Sequence, residues 1–255
     1  MIHCGQLSLI TSRRIMVEMA QYGPQAVFFD MDGTIINSEP LWAQSERAIM
    51  KKYDIAWPAG LSARLQGTSL AYVAQALINL GLPLSQEETI DAMVSYVHQR
   101  EAVQLPWIDG AQEFIGRIHQ AGIPCLLVTG SPRILVENLV SQTPEGTFAG
   151  FICDDSLPDN RKKPLPDPYF AAASLLGIDP EDKKSMGRCL IFEDSAPGLK
   201  SASQTGAVVV RKIGETSTAF AEEGGQFMSV SSFEGMSVDD TALIMREAHE
   251  AGYVH

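Results

Sequence analysis

Two aspartates one residue apart, Asp30 and Asp32, close the apolar run Ala26-Val27-Phe28-Phe29 and stand before Gly33-Thr34. Four consecutive apolar residues rich in β-formers read as a fully buried parallel strand. A pair of acids at the end of such a strand is out of place unless it does chemistry. In an open α/β sheet, ligands bind beyond the carboxyl ends of the strands. With only Met31 between them, the two side chains can project to the same side, one to attack or ligate and the other to move protons. The alternatives are a solvated Asp-x-Asp-Gly turn or part of a calcium loop. The calcium loop fails, because Asn37 and Glu39 miss its ligand spacing.

Two more apolar runs end in reactive groups. Ile123 to Val128 ends at Thr129-Gly130-Ser131, with Pro132 placed to open a helix; taken alone, Ser131 could simply cap that helix. Cys189-Leu190-Ile191-Phe192 ends at Glu193-Asp194-Ser195, again with a Pro and a Gly just inside the next helix. Between these runs lies Arg161-Lys162-Lys163-Pro164-Leu165-Pro166-Asp167-Pro168, a proline-stiffened loop that fixes a lysine before a helix beginning near Asp167. By itself a basic loop is usually a solvated one.

In order and spacing, over essentially Val27 to Arg211, these four segments resemble the haloacid dehalogenase-like superfamily of phosphotransferases. The resemblance implies Asp30 as nucleophile and Asp32 as general acid and base. It also implies phosphate binding by Thr129, Gly130 and Ser131, charge compensation by Lys163, and magnesium on Asp194 with Glu193 assisting. The stretch Asp30-Met31-Asp32-Gly33-Thr34-Ile35-Ile36-Asn37-Ser38-Glu39-Pro40-Leu41-Trp42 looks closest to the beta-phosphoglucomutase-like and 2-deoxyglucose-6-phosphate phosphatase-like branch. That implies a magnesium-dependent phosphatase acting on small phosphate monoesters, sugar phosphates foremost, through an aspartyl phosphate. One departure is visible: Lys162 stands where the family usually has Gly, which leaves two lysines for one role, although the Lys-Pro-x-Pro-Asp run points to Lys163.

The chemistry agrees. A carboxylate attacking a phosphate dianion meets like-charge repulsion, so the site must bring a divalent cation, a lysine and backbone amides. Asp30, the Asp32 carbonyl, Asp194 and Glu193 form an all-oxygen set that suits magnesium. Zinc and iron are disfavoured: no His ends a strand, and the four cysteines, at positions 4, 125, 153 and 189, form no Cys-x-x-Cys.

Three rival functions fit the sequence less well. The sugar phosphomutases that the chain resembles carry a His where it has Trp42 and an Arg where it has Leu70, which favours hydrolysis over isomerisation. A dehalogenase would lack the acid at position 32. A non-catalytic binding protein on the same fold would be expected to have lost one of Asp30, Asp32, Lys163 or Asp194, and all four are present.

To hold these residues the chain must place several strand ends along one edge. Helix and strand alternate from Ala111 onward, which predicts a doubly wound, mainly parallel, Rossmann-like α/β sheet. Residues 25–37 and 106–255 are assigned to this core. The stretch 38–105 reads as helices throughout and is expected to form a cap, hinged near Ile36 to Pro40 and Leu105 to Asp109, with Trp42, Arg64, Gln66 and Thr68 as candidate leaving-group contacts. Residues 1–24 are expected to be a flexible tail. The chain has 255 residues, 45% hydrophobic and 20% charged, enough for one large core and a smaller unit. A net charge of −12 argues against nucleic acid as partner. No run approaches a membrane span, and scattered cysteines fit a reducing cytoplasm. The expected partner is a small phosphorylated metabolite, and the expected state a monomer.

Overall fold

The structure is a computed structural model that describes residues 21–65, 68–214 and 225–254. Six strands, β1 (Ala26–Phe29), β2 (Cys125–Val128), β3 (Gly150–Ile152), β4 (Cys189–Glu193), β5 (Val208–Lys212) and β6 (Met228–Val230), form one sheet in the order β3-β2-β1-β4-β5-β6. All neighbours are parallel. The chain adds strands outward on one side of β1, then returns to β4 and adds them on the other. The reversal therefore lies between β1 and β4, where an open α/β sheet has its ligand crevice.

The continuous apolar runs form central strands because both faces of the sheet are covered. Val27, Phe29, Cys125, Leu127, Leu190 and Phe192 join one core cluster, and Ala26, Phe28, Leu126, Val128, Cys189 and Ile191 join the other. On the first face the Phe29 and Phe192 rings stack at 5.2 Å between centroids, with Phe114 and Phe233 packed around them. Aromatic pairs of this kind contribute about 1 kcal/mol each beyond burial. The flanking helices are α5 (Ala111–Gln120), α6 (Arg133–Ser141), α7 (Asp167–Leu175), α8 (Lys183–Met186), α9 (Ala196–Ser203) and α10 (Val238–Glu250). Helix and strand positions match the expected alternation except for α8, a single turn started by the Asp182 cap, which is too short to show a period.

The inserted stretch folds as α1 (Glu39–Lys52), α2 (Leu61–Leu65), α3 (Leu70–Asn79) and α4 (Gln86–Glu101). Ile49, Met50, Leu61, Leu65, Val73, Ala74, Leu77, Leu82 and Met93 make a core of its own, and α4 also packs on α6. The two linkers pair with each other: Asn37 N–H donates to the Pro106 carbonyl at 2.8 Å and Ile108 N–H to the Ile35 carbonyl at 2.9 Å. Residues 1–20 of the expected tail lie outside the described residues. Tyr22, also assigned to that tail, packs on the first core cluster and meets the His249 ring at 6.4 Å. Among the described residues no helix is long and apolar enough to cross a membrane, and Cys125, Cys153 and Cys189 are buried free thiols.

Candidate active site

The two-residue period of a strand explains which acids meet. Ala26 and Phe28 face the second core cluster, so Asp30, next in the same phase, faces that side as well. In β4, Cys189 and Ile191 take that face and Glu193 follows them. Because Phe29 pairs with Phe192, Asp30 and Glu193 lie side by side beyond the β1–β4 ladder. From this side α7 brings Tyr169 and the preceding loop brings Lys163.

Lys163 Nζ donates to Asp30 Oδ1 at 2.8 Å, to the Val128 carbonyl at 2.8 Å and to Glu193 Oε1 at 2.5 Å. Lys162 turns away and pairs with Asp154 and Asp159, each at 2.7 Å. The ambiguity between the two lysines is thereby resolved in geometry: Lys163 faces the nucleophile candidate. Burial alone would push the Lys163 ammonium down, but the charges of Asp30 and Glu193 outweigh it and hold it well above its usual value. Glu193 is wholly buried. Its Oε1 also accepts from Tyr169 at 3.3 Å, and its Oε2 accepts from the Ser195 N–H at 2.9 Å and hydroxyl at 3.1 Å. A Cβ at position 198 would overlap the Glu193 carboxylate, so glycine is required there. Both Glu193 oxygens are thus engaged, Oε1 with Lys163 and Tyr169 and Oε2 with Ser195.

Asp30, Glu193 and Asp194 present carboxylate oxygens all within 4.8 Å of one another. Thr34 Oγ1 lies 3.0 Å from Asp30 Oδ2 and 3.2 Å from Asp194 Oδ1 and bridges the two acids. Gly33, at φ +82°, lets the chain pass directly against the Asp194 carboxylate; a Cβ there would collide with it. Burial, followed by the Asp30 and Glu193 charges, pushes Asp194 up. Three carboxylates thus crowd around the one ammonium bonded to two of them. A hard divalent cation would relieve that excess, and the oxygen donors fit magnesium.

Asp32 occupies a different environment. It accepts hydrogen bonds from the Ser38 and Ser131 hydroxyls, and Thr129 Oγ1 stands 3.4 Å from its Oδ2. Thr129 Oγ1 in turn accepts the Ser131 N–H at 3.0 Å. Burial pushes the Asp32 carboxyl up, and the neighbouring Asp30 charge adds to the rise. The hydroxyls of Ser131 and Ser38 and the Trp42 indole oppose it. Of the two acids at the tip of β1, one is thus tied to an ammonium and the other is held among hydroxyls and biased toward its protonated form.

Gly130 is exposed beside Thr129 and Ser131, which are buried. Trp42 reaches Asp32 while packing on both the sheet and the insertion cores. Arg64 and Thr68 are exposed, and Thr68 Oγ1 is spent on the Leu65 carbonyl at 2.6 Å. Gln66 lies outside the described residues. Sequence reasoning gave no role to Thr34, Ser38 or Tyr169, although Thr34 and Ser38 sit in the Asp30 segment and offered hydroxyls at short range.

It also passed over Glu101, wholly buried at the end of α4 with neither carboxylate oxygen hydrogen-bonded. Its signal was its place on the buried stripe Thr89, Met93, Val97, Glu101, four residues apart each time. Burial, with the Asp32 charge adding to it, pushes Glu101 up to about 8. In the folded state this group holds its proton to about pH 8, whereas in the unfolded chain it loses it near the ordinary value of 4.5. The stability tied to that proton is present below pH 4.5 and lost as pH rises through 8. Thermal melts should therefore show Glu101→Gln gaining on the wild type as pH rises from 5 to 8; a constant difference would contradict the burial account.

A family model for haloacid dehalogenase-like hydrolases matches residues 24–206. The chain belongs to that hydrolase family. It is 27% identical over 197 residues to the fructose-1-phosphate phosphatase YqaB of Escherichia coli K12, covering 72% of this chain and 95% of that one. It is 30% identical over 230 residues to the plasmid protein CbbY of Cupriavidus necator, covering 83% and 82%. The crystal structure of an HAD hydrolase of family IA, variant 3, from Entamoeba histolytica superposes with a TM-score of 0.71 at 20% identity, over 87% of this chain and 99% of that one. The fold and family expected from the four segments hold, and relatives such as YqaB and the Escherichia coli hexitol phosphatase B are phosphoric monoester hydrolases.

Proposed function

We propose that this enzyme is a magnesium-dependent phosphatase that hydrolyses small phosphate monoesters, sugar phosphates foremost, through an aspartyl phosphate on Asp30. The observation that supports it best is the division of labour at the tip of β1. Asp30 is bonded to Lys163 beside two further acids, while Asp32 stands among the hydroxyls of Ser38, Thr129 and Ser131. Magnesium, held by Asp30, Asp194, the Asp32 carbonyl and with Glu193 near, would supply charge compensation and orient a phosphate oxygen.

In this reading Lys163 and the Thr129-Gly130-Ser131 turn seat the phosphoryl group. An Asp30 oxygen attacks phosphorus, the bond from phosphorus to the ester oxygen breaks, and Asp32 gives its proton to that departing oxygen. Asp32 is now a base. It takes a proton from water as the water attacks the phosphoryl group, releasing inorganic phosphate and restoring the Asp30 carboxylate. Residues 38–105 serve as a lid that excludes bulk water during the first step, with the paired linkers at Asn37–Pro106 and Ile35–Ile108 as its stem.

The runner-up is a sugar phosphomutase. Trp42 beside Asp32 cannot act as a base, and Leu70, at the first turn of α3, cannot pair with a second phosphate. Supplied with glucose 1-phosphate and a trace of glucose 1,6-bisphosphate, the enzyme should release inorganic phosphate faster than it forms glucose 6-phosphate. Isomerisation outrunning release would replace the phosphatase reading with the mutase.

A further inference from the structure

Lys162, the residue that departs from the family pattern, has no role in the steps above. It follows the 3₁₀ turn Asp159–Arg161 in an extended conformation, φ −88° and ψ 171°, and neighbouring side chains on an extended backbone point to opposite sides. Lys163 therefore enters the site while Lys162 turns back toward the tip of β3. There its Nζ lies 2.7 Å from Asp154 Oδ1 and 2.7 Å from Asp159 Oδ1. The Asp159 pair is local, only three residues away, and its carboxylate is solvated. The Asp154 pair reaches out of the loop. Asp154 N–H donates to the Ser131 carbonyl at 3.0 Å, so one ion pair and one hydrogen bond join the lysine loop to the Thr129-Gly130-Ser131 turn.

A second tie runs beside the first. Arg133, which opens α6 directly behind that turn, donates through Nε and Nη2 to the two oxygens of Asp155 at 3.0 and 2.9 Å. The 3₁₀ turn Asp154–Ser156 is thereby gripped by a cation from α6 and by a cation from the lysine loop. At its far end the loop is pinned to the end of α9, where the Ser201 hydroxyl donates to the Leu165 carbonyl at 2.5 Å and the Gln204 amide to the Pro164 carbonyl at 2.9 Å. An isolated surface pair holds little, whereas bidentate and networked pairs hold a geometry.

We infer that Lys162 is a positioning residue: through Asp154 it fixes the Lys163 ammonium at the spacing from the Thr129-Gly130-Ser131 turn that a phosphoryl group requires. This rests on the phosphatase reading and adds a residue to it. The Lys163 ammonium is held by Asp30, the Val128 carbonyl and Glu193; Lys162 holds the backbone from which it springs. The two sets of groups that seat one phosphoryl group come from different loops, and a misplacement of about 1 Å can cost on the order of 10²-fold.

Lys162→Met keeps most of the stem and removes the charge. With magnesium and p-nitrophenyl phosphate, it should raise KM and the inhibition constant of inorganic phosphate together, by about tenfold, with a smaller change in kcat, because both ligands are seated by the same groups. Mere loss of folded protein would lower kcat and leave both constants unchanged. Lys162→Arg should restore them to within about threefold, since the guanidinium can reach the same carboxylate. Asp154→Asn should reproduce the loss, and the double variant should lose no more than the worse single, as partners in one interaction do. In a Lys163→Ala background, the dissociation constant of inorganic phosphate, read by phosphorus NMR, should change less than about twofold on adding Lys162→Met. Unchanged constants in Lys162→Met, losses that multiply with Asp154→Asn, or a full loss persisting without Lys163 would each overturn the inference while the wild type went on releasing phosphate. No release by the wild type from any ester would overturn the phosphatase reading itself.

Discussion

Asp30→Asn is expected to lower phosphate release by on the order of 10⁴-fold or more, as removal of a covalent nucleophile does, while the protein melts within a few degrees of the wild type. The amide keeps the shape of the carboxylate and can still accept from Thr34, but it cannot attack phosphorus. Lys163 keeps its bonds to Glu193 and the Val128 carbonyl, so the ammonium is not stranded. Initial rates of phosphate release, paired with a melting curve, check both halves. Release at the wild-type rate would show that Asp30 is not the nucleophile.

Removal of divalent metal should have a comparable effect. Asp30, Glu193 and Asp194 crowd within 4.8 Å, and the arrival of a phosphate dianion adds to a negative excess that Lys163 alone does not balance. Exhaustive chelation should abolish activity and added magnesium restore it. Calcium should bind yet inhibit, because its longer and looser coordination misplaces nucleophile and phosphate. Asp194→Ala should raise the magnesium concentration needed for half-maximal rate or remove activity. Titrating magnesium into both proteins tests this, and full activity after chelation would eliminate the metal.

The strands and the phase of their side chains were legible because a strand buried on both faces has to be a continuous apolar run, and a polar residue at its end then shows clearly. Asp30, Thr129, Glu193 and Asp194 were found that way. Choosing between Lys162 and Lys163 needed three dimensions, since both sit in one loop and only the fold decides which ammonium enters. Glu101 escaped for the opposite reason: a charged residue on a helix is normally solvated, and only the packing of α4 on α6 and α1 makes this one buried. Arg64 and Thr68 were chosen for their polarity; both are exposed, Arg64 on α2 and Thr68 just beyond it. Trp42 was chosen as a leaving-group contact; the fold also wedges it between two cores, with its indole toward Asp32.

The most direct measurement is where the phosphoryl group resides during turnover. Asp32→Asn should keep Asp30 and Lys163 in place and lose only proton transfer, about 10²–10⁴-fold in rate. An ester with a good leaving group, such as p-nitrophenyl phosphate, needs little protonation and should still phosphorylate this variant, whose intermediate then cannot be hydrolysed efficiently. Acid quenching followed by peptide mass mapping should place one phosphoryl group on the peptide containing Asp30, labile to hydroxylamine as an acyl phosphate is. Phosphate release with no phosphorylated peptide, or a phosphoryl group on another residue, would contradict covalent catalysis by Asp30.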